Sequence, residues 1–495
     1  MREIEETLHK MGNIMLNKLY NYFMDTPFVH LIDTPYGFYF FDVNTHTINK
    51  VEKNVYNALE LVLTGEIDLI DENSMIAIER IKSQGLLKSN RPKSMKHPAS
   101  DFLDYYLKHR VNQISLQITQ DCNFRCNYCV YSENNNPLNR RHSKKKMSFD
   151  LAKKAVDFLL SHSRDVTSPV IAFYGGEPLL EFGLLKKTVL YAEEAFLGKP
   201  IRFDITTNCS LIDRDKMNFF VEHNIPLLIS LDGPKDIHDA NRKFAANGCG
   251  TFDVIMSKLH FIKENYPDYY KQNNIKFSIV IDPSKDLDCV NEMFIKNSVL
   301  QDTYALTGLI DDSYSTEKNE YSDEFVLQSK YEDFIGILNS TERIKDSSIS
   351  LTTLNQLREL KKLDAKLGYF RIKDEMSHAG PCIVGSTRLL MNAYGDFYPC
   401  EKVSELSPIM NIGNIEYGFD IDKVKNLMNV CKISEKECIN CWAINECSLC
   451  PKFADGHTCL DVNILLSKCN GVKKLVEDDI RTYIAIKEIK ASGCI

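Results

Sequence analysis

The chain has 495 residues, 44% hydrophobic and 26% charged, with a net charge of -8. That length exceeds one ordinary core and predicts two or three domains, and the composition excludes collagen-like, disordered and low-complexity chains. The acidic balance leaves no basic footprint for nucleic acid, and no basic, apolar start or long uncharged apolar stretch is present, so we expect a cytoplasmic protein without membrane contact.

Residues 1–100 are expected to form a small separate module. Gly37 to Val43 and His46 to Val51 alternate around the turn-like Asn44-Thr45 and predict a hairpin, and Lys53 to Thr64 and Asn73 to Gly85 have the period of amphipathic helices. Strands followed by short helices predict a winged-helix-like unit. Lys88 to Ser100 is polar, basic and broken by two Pro, a linker composition.

Across 110–315 apolar strands alternate with amphipathic helices. The strands are Ile114 to Thr119, Pro169 to Tyr174, Ile201 to Thr206, Leu227 to Ser230, Ile275 to Ile281 and Thr303 to Ile310. The helices are Asp150 to Ser161, Leu184 to Ala195, Arg214 to His223 and Phe252 to Glu264. Repeated strand–helix units predict an α/β fold with a parallel sheet, an open partial (β/α)6 barrel whose site lies at the C-terminal strand ends. Residues 316–375 are charged and helix-patterned, a bridge to a Cys-rich region at 376–495.

The sixteen Cys are clustered: three fall within the eight residues Cys122 to Cys129, and ten lie from Cys382 to Cys494. In a large cytosolic chain such clustering favours metal or cluster ligands over disulfides. Cys122, Cys126 and Cys129 stand on the loop after the first barrel strand; thiolates are soft ligands that suit zinc or iron-sulfur clusters, and spacings of three and two let one loop wrap a compact inorganic core. A structural zinc site would need a fourth nearby ligand, and His142 is distant in sequence.

This Cys-x3-Cys-x2-Cys loop, with Tyr128 before its last Cys, resembles the signature of the radical S-adenosylmethionine (radical SAM) superfamily. The resemblance implies a 4Fe-4S cluster whose open iron takes S-adenosylmethionine, giving a 5'-deoxyadenosyl radical. Gly175-Gly176-Glu177-Pro178 after the second strand is similar to the family's GGEP motif, which holds the methionine ammonium. Ser230, at the end of the fourth strand, and Arg242 match the spacing of family residues that contact the ribose and the methionine carboxylate. Thr206, Thr207 and Asn208 end the third strand toward the same place.

The pattern Cys382-x12-Gly395-x4-Cys400, then Cys438-x2-Cys441-x5-Cys447-x2-Cys450, then Cys469, looks like a SPASM domain. The family often has three residues before the equivalent of Cys450, where this chain has two. The resemblance implies two auxiliary 4Fe-4S clusters, the first on Cys382, Cys400 and Cys450 and the second on Cys438, Cys441, Cys447 and Cys469. Members that close the first cluster carry another Cys shortly before the equivalent of Cys382. Residues 371–380 contain none, which predicts an open iron unless Cys431, Cys459 or Cys494 reaches it. A zinc ribbon over Cys438 to Cys450 is the plain alternative. Cys209, Cys249 and Cys289 fit no cluster spacing and are expected to be structural thiols. The run from Arg140 to Lys146 is expected to be a solvated loop, and Trp442 to pack the cluster Cys residues.

The N-terminal module resembles the PqqD-like recognition element of ribosomal-peptide maturases, which captures a leader peptide by strand addition. The whole chain then resembles a radical SAM maturase forming thioether links in a Cys-containing precursor peptide, supplied with electrons by a flavodoxin or ferredoxin. Alternatives are an anaerobic sulfatase maturase making formylglycine, or a radical SAM peptide enzyme that makes carbon-carbon links or epimerises residues. A plain electron carrier or peptide-binding scaffold would leave Gly175 to Pro178, Ser230 and Arg242 without a purpose.

Overall fold

The computed structural model describes residues 26–131, 140–301, 303–315, 318–344 and 349–492. Residues 1–25 of the expected module and Cys494 lie outside them. Among the described residues no helix is long and apolar enough to cross a membrane.

The N-terminal strands β1 (Val29–Thr34), β2 (Gly37–Asp42) and β3 (Thr47–Val51) form an antiparallel sheet in that order. Helices α1 (Lys53–Thr64) and α2 (Glu72–Ser83) follow. Gly65, at φ 84°, stops α1, and the Asp71 carboxylate caps α2 by accepting from the Ser74 amide at 2.9 Å. One side of the sheet, with Val29 and Phe40, covers Val55, Leu59 and Ile78 of these helices.

The other side of that sheet packs on the Cys-rich region. Phe28, Ile32, Tyr39, Phe41 and Val43 share a core with Cys431, Ala443, Ile444, Val476, Ile480 and Ile484 of the Cys-rich region. The expected linker is likewise a strap: Ser94–Met95 pairs in parallel with Glu375–Met376, Met95 is fully buried, and its amide donates to Glu435 Oε2 at 2.7 Å. Pro and charge suggested solvent here, and fixed partners from distant sequence replaced it.

The following segment supplies β4 (Gln113–Thr119), a short β5 (Phe124–Cys126), β6 (Val170–Gly175), β7 (Arg202–Thr207), β8 (Leu227–Ser230), a short β9 (Arg242–Phe244), β10 (Ile275–Ile281) and β11 (Tyr304–Leu309). The six long strands run parallel in the order β11-β10-β8-β7-β6-β4, with Phe149–His162, Phe182–Ala195, Arg214–Glu222 and Phe252–Asn265 as crossover helices. Alternation decides the faces: in β10, Ile275, Phe277, Ile279 and Ile281 bury outward against the helices, which turns Lys276, Ser278 and Val280 to the concave side. The partial barrel is therefore present as expected.

The sheet does not end at the barrel. Strand β12 (Leu389–Met391) lies parallel beside β4, pairing Leu389 with Ile114, and β13 (Asp396–Tyr398), β14 (Gly413–Asn414) and β15 (Gly418–Phe419) extend the same sheet. The expected bridge is two helices, Asp323–Ser340 and Leu351–Lys366. The Cys-rich region ends in the long helix Cys469–Ala491, whose Val476, Ile480 and Ile484 reach the N-terminal sheet.

Candidate functional site

The loop after β4 carries Cys122, Cys126 and Cys129. Its shape comes from an antiparallel ribbon in which β5 pairs with β9, Cys126 opposite Arg242 and Phe124 opposite Phe244, with the two Phe rings edge to face at 5.0 Å. Backbone amides point at the sulfurs, Phe124 N at Cys122 Sγ (3.3 Å) and Tyr131 N at Cys129 Sγ (3.5 Å). Burial raises all three thiol pKa values, Cys126 to about 12, and mutual repulsion of the sulfurs adds to the shift at Cys122 and Cys126. Three neighbouring thiolates are therefore unfavourable here without positive charge between them, which is what an iron-sulfur core provides. Among the described residues, no three His, Cys, Asp or Glu side chains converge as ligands of one metal ion; in a cluster each thiolate takes a separate iron.

The Gly175-Gly176-Glu177-Pro178 turn locks onto this loop. Gly176 N donates to Thr119 O and Glu177 N to Asp121 O, both at 2.9 Å. A Cβ on Gly175, which sits at φ 141°, would lie 2.2 Å from Thr119 O, and one on Gly176 would lie 2.1 Å from Asp121 O. Both glycines are thus required by backbone approach to the Cys loop. Pro178 is buried at the start of the short 3-10 turn that follows.

Glu177 is 1% exposed and accepts from Thr207 Oγ1 (2.8 Å), Asn208 N (2.7 Å) and Leu179 N (3.0 Å). Burial nevertheless raises its pKa to about 7, so these three donors recover only part of the hydration that the carboxylate loses. Asn208 Nδ2 donates to Asn123 Oδ1 at 2.9 Å, joining the end of β7 to the Cys loop. Thr207 and Asn208 therefore brace Glu177 and the loop. Thr206 and Ser230 are half-buried on the concave side of β7 and β8.

Arg242 is drawn into a pair that the sequence reading did not include. Its Nε and Nη2 donate to Asp232 at 2.8 and 3.0 Å, and its guanidinium carbon lies 5.3 Å from the Tyr128 ring centre. Tyr128 donates its hydroxyl to the same carboxylate. In the sequence, the available signal is a carboxylate two residues past the strand-end Ser230.

In the Cys-rich region the thiols fall into two groups. Cys400 feels Cys450 and Cys382, and Cys382 feels Cys450, each as a repulsion added to the larger effect of burial. Cys447 feels Cys441, Cys438 and Cys469 in the same way. The β12–β13 hairpin explains the first spacing, since Gly395, at φ 95°, turns the chain between Leu389 and Cys400. A Cβ on Gly380 would lie 1.8 Å from Leu449 O, a close approach that brings the segment before Cys382 against the residue before Cys450.

Several expectations change. Cys431 is fully buried beside Cys438 and thus belongs with the second group. Cys459 is exposed. Cys249 and Cys289 are also exposed, and of the three supposed structural thiols only Cys209 is buried. Trp442 stacks on His30 of the N-terminal sheet, ring centres 3.8 Å apart. Arg140 is buried, unlike the solvated loop expected around it: Nη2 donates to the carbonyls of Glu401 and Val403 at 2.6 Å, Nε lies 3.0 Å from Glu405 Oε1, and Nη1 donates to Tyr131 at 3.3 Å. That guanidinium fastens the chain after Cys129 to the chain after Cys400.

The sequence model of the Radical SAM superfamily matches residues 116–294. An uncharacterized protein of Methanocaldococcus jannaschii is 28% identical over 338 residues, covering 67% of this chain and 94% of that protein. The serine-type anaerobic sulfatase-maturating enzyme of Bacteroides thetaiotaomicron is 30% identical over 145 residues, covering 29% of this chain and 34% of the enzyme, so the match spans about a third of that relative. Among solved structures, anSMEcpe with bound AdoMet has a TM-score of 0.57 at 19% identity, covering 75% of this chain and 97% of that one, a likeness of fold.

Proposed function

From the match of residues 116–294 to the Radical SAM superfamily model, we propose that the chain is a radical SAM enzyme and that it modifies a ribosomally made, Cys-containing peptide by joining Cys sulfur to a carbon of another residue. Cys122, Cys126 and Cys129 would hold the radical cluster, with S-adenosylmethionine against Gly175 to Pro178, Thr207, Asn208, Ser230 and Arg242. When bound, cluster and S-adenosylmethionine together supply a carbon radical that removes a hydrogen atom from substrate. The chain's own part is to fix the loop, to present the concave barrel face and to limit water around it.

The observation that carries the thioether reading is the contrast between the two C-terminal thiol groups. Cys438, Cys441, Cys447 and Cys469 lie close enough to influence one another, with Cys431 beside Cys438, whereas in the other group only Cys382, Cys400 and Cys450 do so among the described residues. Cys382, Cys400 and Cys450 would hold an auxiliary cluster by three thiols, and such a cluster, when bound, would offer an open iron to a substrate thiolate and an acceptor for the electron left over from carbon-sulfur bond formation. The N-terminal sheet is the proposed reader of the leader peptide, by addition of a strand, and a flavodoxin or ferredoxin is the proposed electron donor.

The test is anaerobic incubation with S-adenosylmethionine, a reductant and a leader-bearing Cys peptide. Each link removes two hydrogens from the peptide and blocks one thiol to alkylation, and a Cys-to-Ser peptide stays unlinked. The similarity to a sulfatase-maturating enzyme favours a second reading, formylglycine formation. A product carbonyl in place of a link would select it, and carbon-carbon linkage or epimerisation would leave every Cys free to alkylate.

A further inference from the structure

Arg242 is held more tightly than a ligand-binding guanidinium requires. Asp232 receives its Nε and Nη2, and also the Val280 amide at 3.1 Å and the Tyr128 hydroxyl. The Asp232 amide in turn donates to His238 Nδ1 at 3.2 Å, His238 Nε2 lies 2.9 Å from Thr251 Oγ1, and that hydroxyl donates to Arg242 O at 3.1 Å. The circuit closes on Arg242 itself. With the β5–β9 pairing it leaves the side chain no second position, and Nη1 is aimed at Cys126 Sγ, 4.0 Å away.

Resting on the reading of Cys122, Cys126 and Cys129 as cluster ligands, we propose that Arg242 is a positioning residue that keeps a fixed positive charge and one N–H against the Cys126 sulfur and so raises the reduction potential of that cluster. Reduction adds one electron and breaks no bond, so the reduced cluster is the more negative form. A buried cation and an N–H donor at a ligand sulfur stabilise that form more than the oxidised one. Asp232 opposes the charge but fixes its place, which separates this role from contact with S-adenosylmethionine: the effect exists before that ligand arrives.

The experiment is a dithionite redox titration of the full reconstituted chain without S-adenosylmethionine, followed by electron paramagnetic resonance. The relevant signal is the one lost in the variant with Cys122, Cys126 and Cys129 all changed to Ala. Arg242→Gln is expected to lower the equilibrium constant for reduction about tenfold, a one-electron shift of about 59 mV. Asp232→Asn is expected to shift the midpoint the opposite way, because it removes the countercharge, and Arg242→Lys to fall between Gln and the native chain. Opposite signs are not what simple loosening of the loop produces. If Arg242→Gln fails to assemble the cluster, the Lys and Asn variants decide by the same signs. Unmoved midpoints with weakened S-adenosylmethionine binding overturn the proposal, as do shifts of one sign in all variants. Absence of any signal that depends on the three Cys would instead reject the cluster reading on which it rests.

Discussion

The barrel loop and the C-terminal region both gather thiols, but they do so by opposite means. Cys122, Cys126 and Cys129 come from one short loop shaped by nearby backbone: the β5–β9 ribbon, the two glycines packed on Thr119 and Asp121, and the Asn208–Asn123 bond. The C-terminal thiols come from a hairpin, a loop and a helix start, and the apolar packing behind them belongs largely to other parts of the chain. The barrel core takes in Leu389, Met391 and Phe397, and the N-terminal sheet covers Ala443 and Ile444. A thiol site made locally depends on local geometry, and one assembled at a distance depends on the whole fold.

The sharpest way to separate the two regions is to remove the barrel thiols. Changing Cys122, Cys126 and Cys129 to Ala should abolish cleavage of S-adenosylmethionine to 5'-deoxyadenosine while about two thirds of the iron remains, as read by product chromatography and iron assay. Retained cleavage would defeat the radical SAM reading of the loop.

A distant apolar substitution should strike the other region. Phe41, fully buried against the Cys-rich region, should cost about 3–5 kcal/mol when changed to Ala and lower iron at the four-thiol group before the barrel loop is affected. Denaturant melts with per-cluster spectra check this. Unchanged stability would mean that the shared core does not support the site.

The local construction of the barrel loop is tested by Gly176→Ala. Its Cβ would meet Asp121 O at 2.1 Å, so the turn or the Cys loop must move. S-adenosylmethionine affinity should fall at least tenfold, with global stability down by only about 1–3 kcal/mol. Equal affinity in equilibrium binding would show that the contact is dispensable.

The smallest effect concerns pH. Glu177 has a folded pKa of about 7 against an ordinary 4.5, so its ionised form opposes folding above 7 and that opposition disappears as pH falls toward 4.5. Native protein should therefore gain on the order of 2 kcal/mol relative to Glu177→Gln between pH 8 and pH 5. His238 and His378, both lowered to about 4 mainly by burial, act in the opposite direction, losing stability as pH falls below 6.5, but equally in both proteins. A difference that stays flat with pH would contradict the burial of an ionisable Glu177.

Much of the barrel was legible because its signals are local. Period-two strands from Ile275 to Ile281, and helices such as Phe252 to Glu264, follow from side-chain alternation, and the expected N-terminal helix Lys53 to Thr64 has those bounds in the structure. The spacing of Cys122, Cys126 and Cys129 was legible for the same reason. The chain from Lys88 to Ser100 misled, because its polarity is answered by Asn429 and Glu435, more than 300 residues away. Arg140 misled likewise: a basic run is ordinarily solvated, and nothing nearby announces the carbonyls of Glu401 and Val403 that bury its first member. The Asp232–Arg242 pair lay within reach of the motif but required knowing that β9 folds back on β5.

The parallel docking of β12 on β4 bears on recombination. A boundary drawn at residue 376 treats all that follows as an exchangeable cassette, yet Leu389–Met391 completes the barrel sheet by pairing with Ile114 to Leu116. A hybrid joined at that boundary would bring a foreign edge strand into the native barrel, and its register would have to match before any cysteine reached its partner. The natural seam for building chimaeras lies after Phe419, where the last strand of the sheet ends, and the hairpin bearing Cys400 travels with the barrel.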